Sequence, residues 1–360
     1  MKQNSGIPVS KFIRMSLFLF LLLSFSCMNE PDYYTVSDFE KISKIDSHFH
    51  YLTLDGRYME MASSINFRLL SPNWDWNNTI DEQLRISDSI VHRYPGKYAF
   101  FGTFSVDSFS SVNFSKIAIE RIKKCLAEGA TGIKIWKNIG MTLLDKNGKY
   151  VMIDDPAFDP VFDYLEKNNI PVIGHLGEPK DCWLPMEKMT DPSDKIYYTN
   201  NPEYYMYLRP EVPSYDAQIA ARDNLLKKHP RLDFIGAHLG SLEWSVDELA
   251  KRFELFPNLK VDIAARMDHL QYQSKLNYEK VRSFLIKYQD RILYATDNEV
   301  YDKPGIDNNS ELASILAGWK AQWIYLSTDS TIGVQGLKLP RNVIDKIYYT
   351  NAEKYFRLSK

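Results

Sequence analysis

The sequence predicts an α/β protein, a single (β/α)8 barrel of the TIM type, and three observations support this. From about residue 39 onward, short apolar segments alternate with amphipathic segments, which is the pattern of βα units around a parallel sheet. Eight strand-like segments follow one another, as a closed barrel requires. No Gly-rich phosphate loop follows the first segment, which disfavours a doubly wound dinucleotide-binding sheet.

The eight strands are predicted from apolar runs bounded by turn residues, at residues 44–48, 66–70, 98–104, 132–136, 171–175, 233–238, 260–264 and 292–297. Helices are predicted between them, among others at residues 115–128, 156–167, 215–228, 246–256 and 277–288. Asp155 before Pro156 supplies a helix start signal, and Gly129 after Glu128 supplies a stop signal.

Composition and charge exclude one class of partner. The chain has 360 residues, is 44% hydrophobic and carries a formal net charge of -2. A nearly neutral chain without a basic stripe offers little to a polyanion, so we expect no nucleic-acid partner. The length suits one large domain or two ordinary ones, and the run of eight strands leads us to expect one barrel at residues 39–360.

The N-terminus has the pattern of an export signal. Residues 15–25 form an apolar run that is too short to span a bilayer, and it is preceded by Lys2, Lys11 and Arg14. Residues 23–27 resemble a lipoprotein box, so residues 1–27 are predicted to be a lipoprotein signal peptide with lipid attachment at Cys27. Residues 28–38 would form a tether; an ordinary signal peptide cut near Ser26 is the alternative. Either way, we expect an exported protein of the cell envelope. With the lipid it is membrane-anchored and faces the periplasm or the exterior.

The other cysteines, Cys125 and Cys182, are expected to be free and structural. Cys125 falls within a predicted helix, and Cys182 follows a strand elsewhere in the chain.

The stretch between the predicted fifth and sixth strands is unusually long, and the helix at residues 215–228 is the only one that we predict in it. The remainder is the interval at residues 177–214. Long connections in compact domains are usually lids or binding loops, and this one leaves the end of the barrel where active sites lie. We therefore expect a lid, the alternative being an insertion that only packs on the rim.

Histidines and one aspartate stand at the carboxyl ends of the predicted strands. His48 and His50 are two residues apart at the end of the first strand and therefore share a face. In a closed barrel, Asp297 at the end of the eighth strand lies beside them, and His175 at the end of the fifth strand reaches the same centre. His238 ends the sixth strand. Imidazoles and a carboxylate around an open position are typical of a catalytic metal site.

Several short motifs together resemble the amidohydrolase superfamily. They are closest to its amidohydrolase-related branch, which includes the aminocarboxymuconate-semialdehyde decarboxylase type and sugar lactonases. The motifs lie at residues 46–50, 132–135, 174–177, 237–240, 295–297 and 351–356. The resemblance extends from about residue 45 to the end of the chain.

The resemblance implies a ligand set for one divalent metal, usually Zn²⁺ with Mn²⁺ as an alternative, at His48, His50, His175 and Asp297. His238 matches a histidine that ligates a second metal in some members and orients or activates the attacking water in others. Lys134 matches a lysine that is carbamylated elsewhere in the superfamily to bridge two metals and is usually unmodified in this branch. One metal or two therefore stays open.

Four residues are candidates for substrate binding. Lys134 and Trp136 share strand parity and should both face the barrel mouth. Lys134 would grip a substrate carboxylate or polarised oxygen, or else form an ion pair that holds the metal ligands. Arg266 would be a second anion anchor or part of an ion pair on the rim. Glu178 belongs to the 177–214 interval and suits a sugar acid, a lactone or an aromatic ester.

Hydrolysis of an ester, lactone or amide bond in a small molecule is the expected reaction. Asp297 would accept the proton of the attacking water, and His238 would assist. Non-oxidative decarboxylation or hydration by the same ligand set is the alternative, and a non-catalytic ligand-binding lipoprotein is an alternative of another class. The resemblance is also compatible with a homodimer.

Overall fold

The computed structural model describes residues 32–77, 79–302 and 308–358, together with Met1. The predicted signal peptide after Met1, including the lipid-attachment residue Cys27, lies outside the described residues, as does the first part of the tether. The described part of the tether contacts the barrel domain. The Tyr34 hydroxyl donates to Asp345 at 2.6 Å, and the Trp323 indole donates to the Thr35 carbonyl at 3.0 Å.

The core of the fold is a parallel sheet of eight strands in chain order. The strands are β1 Lys44–Asp46, β2 Phe67–Pro72, β3 Tyr98–Gly102, β4 Gly132–Ile135, β5 Val172–Gly174, β6 Phe234–Gly236, β7 Leu259–Asp262 and β8 Ile292–Leu293. All eight predicted strands are present, with bounds that differ by a few residues.

Hydrogen bonds between the last and first strand regions close the barrel. The Ser47 amide donates to the Tyr294 carbonyl at 3.0 Å, and the Asp297 amide donates to the His48 carbonyl at 2.8 Å. Beyond them, His50–Leu52 pairs in parallel with Glu299–Tyr301. The prediction of a closed (β/α)8 barrel is confirmed.

Helices surround the sheet in the order that the alternation predicts. Those of five or more residues among the described residues are α1 Arg57–Ser64, α2 Ile80–Arg93, α3 Phe114–Ala127, α4 Asp159–Lys167, α5 Pro192–Asn200, α6 Tyr215–Lys228, α7 Val246–Leu255, α8 Met267–Leu276, α9 Tyr278–Lys287, α10 Asn308–Ser327, α11 Arg341–Asp345 and α12 Asn351–Phe356. Among the described residues, no helix combines the length and the apolar character needed to cross a membrane.

Apolar side chains fill the barrel at its amino-terminal end. Inward-facing residues such as Ile45, Ile173 and Leu293 form one buried cluster, and Phe356 of α12 packs edge-on against Phe101 with ring centroids 5.0 Å apart. Because this end is filled, polar side chains at the opposite, carboxyl ends of the strands are left to form a site.

The interval at residues 177–214 contains more regular structure than predicted. Besides short 3-10 turns it holds α5, in which Asp191 caps the first turn by accepting from the Ser193 amide at 2.8 Å. The interval has its own small buried cluster, which includes Cys182 and Tyr198. The expectation of one helix between β5 and β6 was wrong because α5 lacks an apolar stripe that would reveal it. Cys125 and Cys182 are both buried and free, as predicted.

Candidate metal centre and pocket

Three of the predicted ligands meet at the carboxyl end of the barrel. The Oδ1 atom of Asp297 lies 3.2 Å from Nε2 of His48 and 3.3 Å from Nε2 of His50. One ligand atom from each of the three residues falls within 4.8 Å of the others, so the group could hold a metal ion. The meeting depends on barrel closure, because His48 and His50 follow β1 while Asp297 follows β8.

His175 and His238 form a second pair beside these three. Nδ1 of His175 lies 3.2 Å from Nε2 of His238, and Nδ1 of His238 lies 2.9 Å from the Ala264 carbonyl oxygen. Since a carbonyl only accepts, His238 carries its proton on Nδ1 and accepts from His175 through Nε2. Nε2 of His175 is then a free lone pair, and it is buried without a hydrogen-bond partner.

The protonation states suit metal binding. Burial lowers the pKa of His48, lowers that of His175 well below its ordinary value, and lowers that of His238 to about 3. Burial alone would raise the pKa of Asp297, but His238 and His48 beside it hold that pKa well below its usual range. Neutral imidazoles and an ionised carboxylate are the states that ligate a divalent cation, so these residues fit one.

Lys134 lies at the metal centre itself. Its Nζ is 3.0 Å from Nε2 of His48, and the residue is 1% exposed. Burial lowers the pKa of Lys134 to about 8, although Asp262 and Asp297 favour its charged form. Lys134 therefore has a predicted metal ligand, His48, as its immediate neighbour.

A pocket of about 360 Å³ opens above the centre. Its floor includes His50, His175 and Asp297, and aromatic side chains supply much of its wall. Trp136 meets Trp76 edge to face with centroids 5.2 Å apart, and both line the pocket, as do Lys134, Trp74, Lys137, Tyr197, Tyr204 and Glu299. Tyr197 and Tyr204 come from residues 177–214, so this interval contributes to the pocket.

Glu178 and Arg266 lie away from the lining of the pocket. Glu178 is buried and forms an ion pair with Lys137, which does line it. Burial would lower the pKa of Lys137, but Glu178 outweighs it and raises that pKa. Burial likewise opposes the charge of Arg266, but Glu243 and other nearby acidic groups raise its pKa. Glu178 thus reaches the pocket through Lys137, and Arg266 faces acidic groups.

Several residues of the site escaped the sequence analysis. Asp262 at the end of β7 accepts from Nδ1 of His48 at 2.9 Å, and its place at a strand end could have indicated it. Trp74, Trp76 and Lys137 lie in connecting segments, where no periodicity marks a side chain as pocket-facing.

This chain is similar to one family profile and to solved structures. The family profile described as Amidohydrolase matches residues 89–358. A solved TIM-barrel protein from Bordetella bronchiseptica has a TM-score of 0.50 and 16% identity, covering 88% of this chain and 99% of its own. A solved amidohydrolase from Mycobacterium avium subsp. paratuberculosis has a TM-score of 0.44 and 13% identity, covering 85% and 75%. A search of curated proteins finds no match.

Proposed function

The chain belongs to the amidohydrolase family, and we propose that it is a metal-dependent hydrolase of an ester, lactone or amide bond in a small molecule. Family membership and the group of His48, His50 and Asp297 support a metal-dependent hydrolase or lyase. The observation that carries the proposal is the convergence of these three residues on one point, where His50 and Asp297 also line the pocket.

We propose one divalent metal, Zn²⁺ with Mn²⁺ as the alternative, held by His48, His50, His175 and Asp297. The buried, unpartnered Nε2 of His175 supports the fourth position. When bound, such an ion polarises a carbonyl group and makes water nucleophilic at neutral pH.

The side chains around the metal would move the proton and hold the substrate. Asp297 directs Oδ1 at His48 and His50, so its second oxygen is the proposed proton acceptor. His238 is proposed to act through His175, because its Nδ1 donates to the Ala264 carbonyl and its Nε2 accepts from His175. The pocket of about 360 Å³ suits a small molecule, and Trp136 and Tyr197 both line it. We propose that residues 177–214 act as its lid.

Metal content and a substrate panel test the function. Purified protein should contain about one equivalent of Zn²⁺ or Mn²⁺ by mass spectrometry. Metal-replete protein should hydrolyse members of a panel of lactones and esters. Release of CO2 from carboxylic acids without hydrolysis would point to decarboxylation. Folded protein that takes up no metal would overturn the proposal and favour a binding lipoprotein.

We also propose that the protein is anchored in the cell envelope through a lipid on Cys27. The support is the sequence pattern of the first 27 residues. Wild-type protein should label with radioactive palmitate and sediment with membranes, and the Cys27→Ser variant should do neither. Labelling that survives this substitution would contradict the anchor.

A further inference from the structure

Asp262 joins two parts of the metal centre with one carboxylate. Its Oδ2 atom lies 2.9 Å from Nδ1 of His48. Its Oδ1 atom accepts from the backbone amide of His238 at 2.7 Å and from that of Ala264 at 3.2 Å. Asp262 is 1% exposed, and no sequence motif had assigned it a role.

The contact with His48 determines which ring nitrogen carries the proton. An ionised carboxylate only accepts hydrogen bonds, so Nδ1 of His48 must donate, and Nε2 keeps its lone pair. Nε2 is also the atom that faces Oδ1 of Asp297. Asp262 therefore selects the tautomer of His48 in which Nε2, the proposed metal-binding nitrogen, carries no proton.

The second contact holds an unusual turn. His238 has φ of 59° and Leu239 has φ of 57°, both in the left-handed region that is unfavourable for residues with a Cβ. The Asp262 carboxylate binds the His238 amide at the start of this turn. The turn directs His238 toward Nδ1 of His175, which leaves Nε2 of His175 free.

We propose that Asp262 is a positioning residue that sets the tautomer of His48 and, by holding the turn at His238, that of His175. The proposal rests on the proposed metal-dependent function only in taking these two histidines as ligands. Asp262 contacts neither the metal position nor the pocket, and its effect is transmitted through the histidines.

The Asp262→Asn variant separates the two contacts. Asparagine keeps an oxygen for the backbone amides of His238 and Ala264 but turns an NH2 group toward Nδ1 of His48. That nitrogen must then accept, and the proton moves to Nε2. In histidine-labelled, metal-free protein, 15N NMR should place the His48 proton on Nδ1 in the wild type and on Nε2 in the variant. Zn²⁺ affinity, measured by competition with a chelator, should fall about 10–100-fold.

Glu243→Gln is the matched control, because Glu243 is also a buried carboxylate and has no hydrogen bond to these histidines. It should leave the His48 tautomer and the Zn²⁺ affinity unchanged. A wild-type His48 with its proton on Nε2 would overturn the proposal even if Asp262→Asn failed to fold, as would a folded variant with wild-type affinity. If the wild type binds no Zn²⁺, the proposed function fails, while the tautomer measurement still decides the role of Asp262.

Discussion

The floor and the wall of the pocket are built in different ways. On the floor, Lys134 is 1% exposed and lies 3.0 Å from the fully buried His48, and strands or the residues just after them supply the proposed ligands. On the wall, Tyr197 of α5 is 48% exposed, and Trp76, which lies in the connection between β2 and α2, is 38% exposed. The difference places the proposed metal ligands on the rigid frame and the proposed substrate contacts on segments that can vary independently of it.

Loss of a floor ligand should have the largest effect. His48→Ala removes one imidazole from the group of three, so stoichiometric Zn²⁺ should be lost. The kcat/KM on any substrate found should fall roughly 10³-fold, which is about 4 kcal/mol of transition-state stabilisation. Metal analysis and steady-state kinetics measure these effects, and circular dichroism should show an intact fold. Activity that survives the substitution would show that the reaction does not depend on His48 or on a metal that it binds.

A buried support of the floor should matter mainly for stability. Asp46 accepts from the Thr296 hydroxyl at 2.6 Å and from the Trp319 indole at 3.0 Å, tying β1 to the segment before Asp297. In Asp46→Asn, an NH2 group takes the place of one carboxylate oxygen and cannot accept a hydrogen bond. We expect the free energy of unfolding, measured in urea, to fall by about 1–3 kcal/mol. The loss should be smaller in a Trp319→Phe background, where one donor is gone. Equal losses in both backgrounds would exclude the indole contact as the cause.

The attachment of α5 should depend on pH. His269 of α8 lies 3.0 Å from Asp194 of α5 and near Asp191, Glu243 and Arg266. Burial opposes its charge, but Asp194 outweighs burial and raises the pKa of His269 above 6.5. The pair therefore stabilises the attachment fully below pH 6.5 and loses this contribution as pH rises through the folded-state pKa.

Hydrogen exchange of residues 192–200, corrected for intrinsic rates, measures this dependence. Exchange should be several-fold faster near about pH 9 than near about pH 6. His269→Gln should remove most of the difference while the floor keeps its metal. Exchange of residues 192–200 that is independent of pH in the wild type would show that the pair of His269 and Asp194 does not hold α5 to the barrel.

A change of charge in the wall should have the smallest effect. Glu178→Gln leaves Lys137 without its counter-charge beside the pocket. Relative to the wild type, the variant should therefore bind anionic inhibitors up to about fivefold more tightly, on the order of 1 kcal/mol, while its affinity for neutral ones stays the same. Inhibition constants for matched acids and amides measure the shift. Zn²⁺ affinity should stay unchanged, and a drop in it would mean that wall and floor are coupled.

The sequence predicts the floor far better than the wall, for a physical reason. Parallel strands bring their carboxyl ends together, so His48, His50 and Asp297 could be placed side by side from strand order alone. Asp262 was missed because the predicted strand at residues 260–264 placed it in the middle and not at the end, and because its partner His48 is 214 positions away.

Other features leave no local signal at all. Positive φ at His238 and Leu239 could not be foreseen, because turn rules look for glycine or asparagine. The helix α5 carries no apolar stripe, and Trp74 and Trp76 sit in a connection without periodicity. The conformation of these segments is determined by contacts with distant parts of the chain and not by the local sequence.

Closure of the barrel also fixes when the metal centre can form. Asp46 and Thr296, which hold β1 to β8, are 250 positions apart, so the contact that completes the site is among the most distant in the chain. Loop closure over such a distance is slow and comes late in folding. His48 and His50 therefore meet Asp297 only when the barrel closes, and uptake of the proposed metal would indicate that folding is complete.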